Sequence, residues 1–160
     1  MTDLKQSSPP RLVAVSNRTA YGSQTRAGGL AVALWDTLAE SGGLWIGWSG
    51  KIFDVPRRRV QLVEEDGVSF ALVDMSKAEY EGFYLGYANS VLWPVMHNRL
   101  DLAVFDSDYF AAYESINRRF AEAVEAQTSE TDIVWVQDYH FFLLARHLKD
   151  AGCKRRTGFF

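Results

Sequence analysis

The sequence has a single cysteine, Cys153, so it cannot form an internal disulfide and nothing in it calls for an oxidising compartment. It has no apolar run near the roughly 18 residues that a membrane helix needs. Its opening, MTDLKQSSPP, lacks a hydrophobic signal region and reads as a disordered polar tail over residues 1–10. Positive charge is not in excess. The 17 Lys and Arg stand against 20 Asp and Glu, a net charge of -3, which argues against nucleic acid or an anionic membrane as the main partner. The short run Arg57-Arg58-Arg59 is offset by Glu64, Glu65 and Asp66 and reads as a solvated turn or edge strand. There is no G-x-G-x-x-G dinucleotide fingerprint, no G-x-S-x-G nucleophile elbow, no internal repeat and no low-complexity segment. His140 and His147 lack the spacing of a metal pair and no thiolate lies near them in sequence, so no metal site is expected. These absences together lead us to expect a soluble protein of the cytoplasm.

Aromatic side chains, by contrast, are plentiful: 14% of the residues, five of them tryptophan, within a hydrophobic fraction of 48%. Trp and Tyr join a flat apolar face to one polar handle, which suits sugar binding as well as core packing. A length of 160 residues fits one domain with a substantial core.

The stretch from Arg11 to Leu34 organises the rest. Leu12 to Val15 is a continuous apolar run, the mark of a strand buried on both faces in a parallel sheet. A polar turn with Arg18 follows, and Gly28-Gly29 then opens a helix whose stripe is Leu30, Leu34 and Leu38 and which closes at Gly42-Gly43. Residues 44 to 49 form a second strand. Val60 to Val63 and Val68 to Val73 flank Glu65-Asp66-Gly67 and read as a hairpin. Ser76 with Glu79 is a capping-box signal for a helix carrying Tyr80, Phe83, Tyr84 and Tyr87 and ending before Pro94. SVLWPVMHNRL reads as a structured loop. Asp106 caps a long helix from Ser107 to about Gln127 with Phe110, Tyr113, Ile116 or Asn117, Phe120 and Val124 on its apolar face. Ile133 to Val136 is another buried strand, ending in Gln137-Asp138-Tyr139-His140. The helix through Leu143, Leu144, His147 and Leu148 has Gly152 as its C′ residue, and Thr157 to Phe160 begins one more strand. The alternation predicts an α/β domain with a mainly parallel sheet.

Chemistry concentrates at the strand ends. Arg18 can meet a phosphate with a bidentate fork, or can be an ordinary surface arginine. Gly28 and Gly29 offer backbone N–H groups at a helix start with no Cβ in the way. Asp138 can accept hydrogen bonds from sugar hydroxyls or act as a base, or simply cap the next helix. Trp48, Tyr84 and Trp93 lie outside the clear core stripes and are candidate lining aromatics as well as candidate core.

Taken in order, RLVAVSNR, AGGL, GGLWIGWSG, Tyr84 nine residues before Trp93 in NSVLWP, HNRLDLAVF, DIVWVQDYH and TGFF closely resemble the trehalose-6-phosphate synthase family from Arg11 to the last residue. The resemblance implies a GT-B glycosyltransferase architecture of two Rossmann-like domains facing each other across a cleft. It implies transfer of glucose, with retention, from UDP-glucose to glucose 6-phosphate without a metal or other cofactor, and small-molecule partners only, in a protein that could be a homo-oligomer. Carried over by motif, Arg18 and Tyr84 would contact the acceptor's phosphate, Trp93 and Trp48 would shape its pocket, and Asp138 would hold acceptor hydroxyls at the reacting centre. Gly28 and Gly29 would approach the UDP-glucose phosphates. The motifs for the nucleotide-sugar domain are expected beyond Phe160, so these 160 residues are expected to be the incomplete acceptor-binding part, inactive alone and with exposed apolar surface. A related enzyme using glycerol 3-phosphate, and a non-catalytic module that binds glucose 6-phosphate, are the competing readings.

Overall fold

The computed structural model describes residues 10–22 and 29–160; the expected polar tail falls almost wholly outside them, as does Gly28. One six-stranded sheet carries the fold, in the order β3-β4-β2-β1-β5-β6, with β1 Leu12–Arg18, β2 Leu44–Phe53, β3 Gln61–Glu65, β4 Val68–Ser76, β5 Ile133–Val136 and β6 Arg156–Phe159. Every neighbouring pair is parallel except the β3–β4 hairpin, which closes one edge as the Glu65-Asp66-Gly67 turn predicts. The chain winds outward from β1 through β2 to β4 and then returns to the other side of β1 with β5 and β6. β1 and β5 are therefore the point where the winding reverses, and a crevice opens at such a point outside the carboxyl ends of the strands.

Alternation along the strands divides the core. Val13, Val15, Leu44, Ile46, Val73, Val134 and Val136 face α4 (Ser107–Gln127), α5 (Leu144–Asp150) and the helical segment after Ser76. Ala14, Trp45, Phe70 and Leu72 face α1 (Gly29–Ser41), which buries Leu34, Trp35 and Leu38 against them. Fully burying a side chain such as Phe120 or Leu38 contributes about 2 kcal/mol.

Local chemistry sets most element ends where the sequence predicts them. Ser76 and Glu79 form a reciprocal capping box, and Asp106 accepts the backbone N–H of Asp108 at 2.8 Å. Gly152 (φ +81°) ends α5 in a Schellman arrangement, with Cys153 N–H donating to Leu148 O and Gly152 N–H to Lys149 O, both at 2.9 Å.

Four expectations need correction. The segment after α2 (Lys77–Glu79) is not an α-helix: it follows a π-helical path over Tyr80–Leu92. It does not stop before Pro94 either, because α3 (Trp93–Met96) continues it, so the first half of SVLWPVMHNRL is helical rather than loop. Pro94 brings no N–H to this continuous helical run, and the Ser90 carbonyl one turn before it accepts the Val104 N–H at 2.8 Å instead. Gly82 and Gly86 let the π segment press on α4: a Cβ at Gly82 would fall 2.6 Å from Ala112 Cβ, and one at Gly86 2.6 Å from the Tyr109 ring. Leu30 and Phe110, expected in buried stripes, are each 43% exposed, and both lie in the first turn of a helix, where fewer neighbours cover them.

Candidate functional site

β1 ends in a local irregularity that aims Arg18 out of the sheet. Pairing with β2 runs in step from Val13↔Leu44 to Ser16↔Gly47 and then slips so that Arg18 faces Trp48. Ser16 supports the slip: its hydroxyl donates to Arg18 O at 2.9 Å and accepts the Trp45 indole N–H at 2.8 Å. Gly47 is required there, because a Cβ would stand 2.6 Å from Thr19 Cγ2 and 2.9 Å from Ser16 O. Arg18 is thus the last residue of the strand rather than part of the turn after it, and its guanidinium carbon lies 5.7 Å from the centroid of the Trp48 ring.

Across the winding reversal, β5 delivers Gln137 and Asp138. Asp138 has φ +73° and ψ 163°, a conformation almost confined to glycine, so its backbone is strained by about 1–3 kcal/mol. The strain persists because neighbours hold the turn on every side. Asp138 Oδ1 accepts the N–H of Tyr139 at 2.7 Å, and its own N–H donates to Phe160 O at 2.6 Å. From α4, the Tyr113 hydroxyl donates to Tyr139 O at 2.6 Å and accepts Phe142 N–H at 3.0 Å, while Asn117 donates to His140 O at 3.1 Å. Burial pushes the Tyr113 phenol well up, so it stays a donor throughout the ordinary pH range.

These strand ends meet at a cavity of about 240 Å³ lined by Ser16, Asn17, Arg18, Leu30, Trp45, Gln137, Asp138 and His140, with Ala31 beside Leu30. The size fits a small polar molecule or part of a sugar. Several buried polar groups belong to the lining. Gln137 is 1% exposed, and neither its Oε1 nor its Nε2 has a hydrogen-bond partner among the described residues. The same holds for Asn17 Oδ1 and both ring nitrogens of His140. Buried polar atoms of this kind are rare unless something polar comes to meet them. His140 Nδ1 lies 3.7 Å from Asp138 Oδ2, too far for a direct bond. Burial lowers the His140 pKa to about 4 despite the opposing pull of Asp138, so the ring is neutral at pH 7 and can accept as well as donate.

Among the sequence candidates, the structure brings Arg18 and Asp138 together on this cavity. Tyr84 stands behind it, half-buried on the π segment and stacked on the His140 ring at 5.7 Å with 14° between planes. Tyr139 also stacks on the His140 ring, at 4.3 Å, and burial pushes its hydroxyl up to about 12. Trp48 is core rather than lining: it is 6% exposed, donates its indole N–H to Lys51 O at 2.9 Å and tilts against Tyr80, touching the site only through Arg18. Trp93 does not line the cavity; it is 43% exposed on α3 and stacks on His97. Gly29 is the first residue of α1, one position before the lining residue Leu30, and a Cβ there would meet nothing within 4 Å. Gly28 lies outside the described residues.

Sequence reading missed Gln137 and Asn17, and considered His140 only as a metal ligand. Their position beside Asp138 and Arg18 at strand ends was the available signal. No group of three or more His, Cys, Asp or Glu that could hold a metal occurs among the described residues. Nor does any helix among them have the length and apolar character to cross a membrane. A larger hollow of about 780 Å³ between α4 and α5 is lined by Glu114, Arg118, Glu122, Arg146 and Asp150 among others, but no strand end contributes to it.

The sequence and the fold are similar to those of known proteins. The model of glycosyltransferase family 20 matches residues 4–160. A trehalose-6-phosphate synthase of Sodalis glossinidius is 40% identical over 154 residues, covering 94% of this chain and 32% of its own length. The crystal structure of an α,α-trehalose-phosphate synthase (UDP-forming) from Burkholderia vietnamiensis superposes with a TM-score of 0.89 at 40% identity, over 94% of this chain and 34% of that one. A Burkholderia xenovorans enzyme of the same description, solved with glucose 6-phosphate, gives a TM-score of 0.86 at 39% identity over 94% of this chain and 33% of its own. The chain therefore spans about a third of the length of the relatives it matches.

Proposed function

The chain belongs to glycosyltransferase family 20, and on that premise we propose that it forms the acceptor-binding wall of a UDP-forming trehalose-6-phosphate synthase working in the cytoplasm. The observation that carries the reading is the convergence of Arg18 and Asp138, from two different strands, on one polar cavity at the reversal of the sheet. It is supported by the relatives' activity and by the glucose 6-phosphate bound to one of them.

In this reading Arg18 takes the phosphate of glucose 6-phosphate in a two-point, charge-assisted contact. The Asp138 carboxylate, 49% exposed on its side chain and locked in direction by its own turn, accepts hydroxyls of the acceptor ring. Tyr84 contributes through the His140 stack, Trp48 by seating Arg18, and Trp93 at the outer rim. The N-terminus of α1, which begins at Gly29, faces the diphosphate of UDP-glucose and favours the developing negative charge of the leaving UDP, and the motif assigns Gly28 to the same ligand. The bond from the donor C1 to the diphosphate oxygen breaks, the bond from C1 to the acceptor O1 forms on the same face, and the acceptor's proton passes to the departing phosphate. No group of this chain has to become a nucleophile; holding the two substrates in contact supplies much of the rate.

The test is calorimetric titration of glucose 6-phosphate, glycerol 3-phosphate and inorganic phosphate into the 160-residue chain. Glucose 6-phosphate should bind best, and Arg18→Ala should weaken it by about tenfold or more with little change in melting temperature. Absence of binding by the native chain at about 10 mM glucose 6-phosphate would sink the reading.

A further inference from the structure

Gly50 combines a positive φ with a close approach to a side chain of the neighbouring strand. It lies in β2 at φ +83°, inside the stretch Trp48 to Ile52 where the register of β2 slips against β4. A Cβ placed on it would stand 2.9 Å from Nη2, 3.1 Å from Nε and 3.2 Å from Cζ of Arg18. All three nearest atoms belong to the guanidinium, so its Nε–Nη2 side lies against the bare Cα of Gly50. The Trp48 ring is a further neighbour of the group, with its centroid 5.7 Å from the guanidinium carbon.

We propose that Gly50 is a positioning residue for Arg18: the missing side chain at position 50 is the seat that holds the guanidinium with its fork turned to the cavity. This deepens the acceptor-phosphate reading and rests on it for the ligand. The physical argument separates two demands that glycine meets at once. One is the positive φ, which an L side chain adopts only with strain. The other is space, and the three atoms nearest to it all belong to Arg18. Because the obstructed atoms are the far end of a flexible side chain, a methyl at position 50 displaces the guanidinium instead of breaking the strand. The consequence of a methyl here is therefore a misdirected fork, and bidentate recognition of an anion tolerates little misdirection.

The fold supplies its own control. Gly67, in the β3–β4 turn, has φ +80°, and a Cβ there meets nothing within 4 Å. Gly67→Ala thus imposes the same backbone strain without touching Arg18. The experiment compares Gly50→Ala, Gly50→Asn and Gly67→Ala in the 15N-labelled 160-residue chain. The Arg18 Nε–H resonance, assigned by its loss in Arg18→Lys, reports the seat directly; calorimetric titration with glucose 6-phosphate reports its use. Gly50→Asn is included because Asn bears positive φ better than Ala while carrying the same Cβ.

Both Gly50 variants should shift the Arg18 resonance and weaken glucose 6-phosphate binding by about tenfold or more, whereas Gly67→Ala should lose a comparable melting temperature and change neither readout. In an Arg18→Ala background, Gly50→Ala should have no further effect on binding. An unmoved Arg18 resonance in both Gly50 variants overturns the proposal, as does equal weakening by Gly67→Ala. If the native chain binds no glucose 6-phosphate, the functional reading falls, and the resonance still decides whether Gly50 seats Arg18.

Discussion

His140 Nδ1 stands 3.7 Å from Asp138 Oδ2, with the imidazole 9% exposed and the carboxylate 49% exposed. A buried base thus backs a half-exposed acid. The charged and titratable groups around the ring are Asp138 and Tyr139 on its own turn, Tyr84 on the π segment, Tyr113 on α4 and Arg18 at the end of β1.

The first prediction concerns that ring. In the unfolded chain His140 takes up a proton as pH falls through about 6.5, while in the fold burial delays it to about 4. Between those values the unfolded state binds more protons, so stability falls as pH falls and levels off below about 4. The loss is on the order of 3 kcal/mol at 1.36 kcal/mol per pKa unit. Chemical denaturation from pH 7 to pH 4 should show it, and His140→Phe, which keeps a flat ring on Tyr84, should remove this part of the slope. An unchanged slope in the variant would mean that other groups carry the acid sensitivity.

A second prediction turns on the backbone of Asp138. Asp138→Ala keeps the strain of φ +73° and loses the contact to Tyr139 N–H, whereas Asp138→Gly loses the same contact but relieves the strain. The Gly variant should therefore be more stable than the Ala variant by about 1 kcal/mol or more. Both should lose glucose 6-phosphate affinity. Urea titration decides it, and an Ala variant as stable as the Gly variant would show that the turn is not strained.

Two ion pairs on neighbouring turns should differ sharply in worth. Arg119, 9% exposed, donates to Glu79 at 2.7 Å and to the carbonyl of Asp74, while Glu79 also closes the capping box on Ser76 N–H. Arg119→Met strips partners from a mostly buried network and should cost roughly 3 kcal/mol. Lys77 and Glu81, 3.8 Å apart and 71% and 55% exposed, pair in water, and Lys77→Ala should leave the denaturation midpoint unchanged. Equal effects would refute the ranking.

The π path depends on close approach. Gly86→Ala would put a methyl 2.6 Å from the Tyr109 ring and 3.0 Å from Glu81 O, and should cost about 2 kcal/mol through displacement of the segment from α4. Because Tyr84 lies on that segment and stacks on His140, tyrosine fluorescence quenching and hydrogen exchange across Tyr80–Leu92 should change with it. A silent substitution would mean that α4 yields without cost.

Residue types alone settle whatever is decided within a few residues of chain. The capping box of Ser76 and Glu79, the Asp106 cap, the Gly152 termination and the β3–β4 turn are short-range hydrogen-bond and φ requirements, visible as residue types at fixed offsets. The buried runs Leu12 to Val15 and Ile133 to Val136 declared parallel strands for a similar reason, since both faces had to be apolar. Motif wording pointed to Arg18 and Asp138 as well. Tertiary structure alone decided which of the candidates meet. Trp48 was withdrawn into the core and Trp93 left outside the cavity, because burial depends on what packs from elsewhere in the chain. The π path, the strained turn at Asp138, the unpartnered amide of Gln137 and the seat that Gly50 makes for Arg18 all arise from contacts across strands and helices. Gly50 and Arg18 are far apart in sequence and touch only because β1 and β2 are neighbours, and their meeting is an outcome of the sheet rather than of any local pattern.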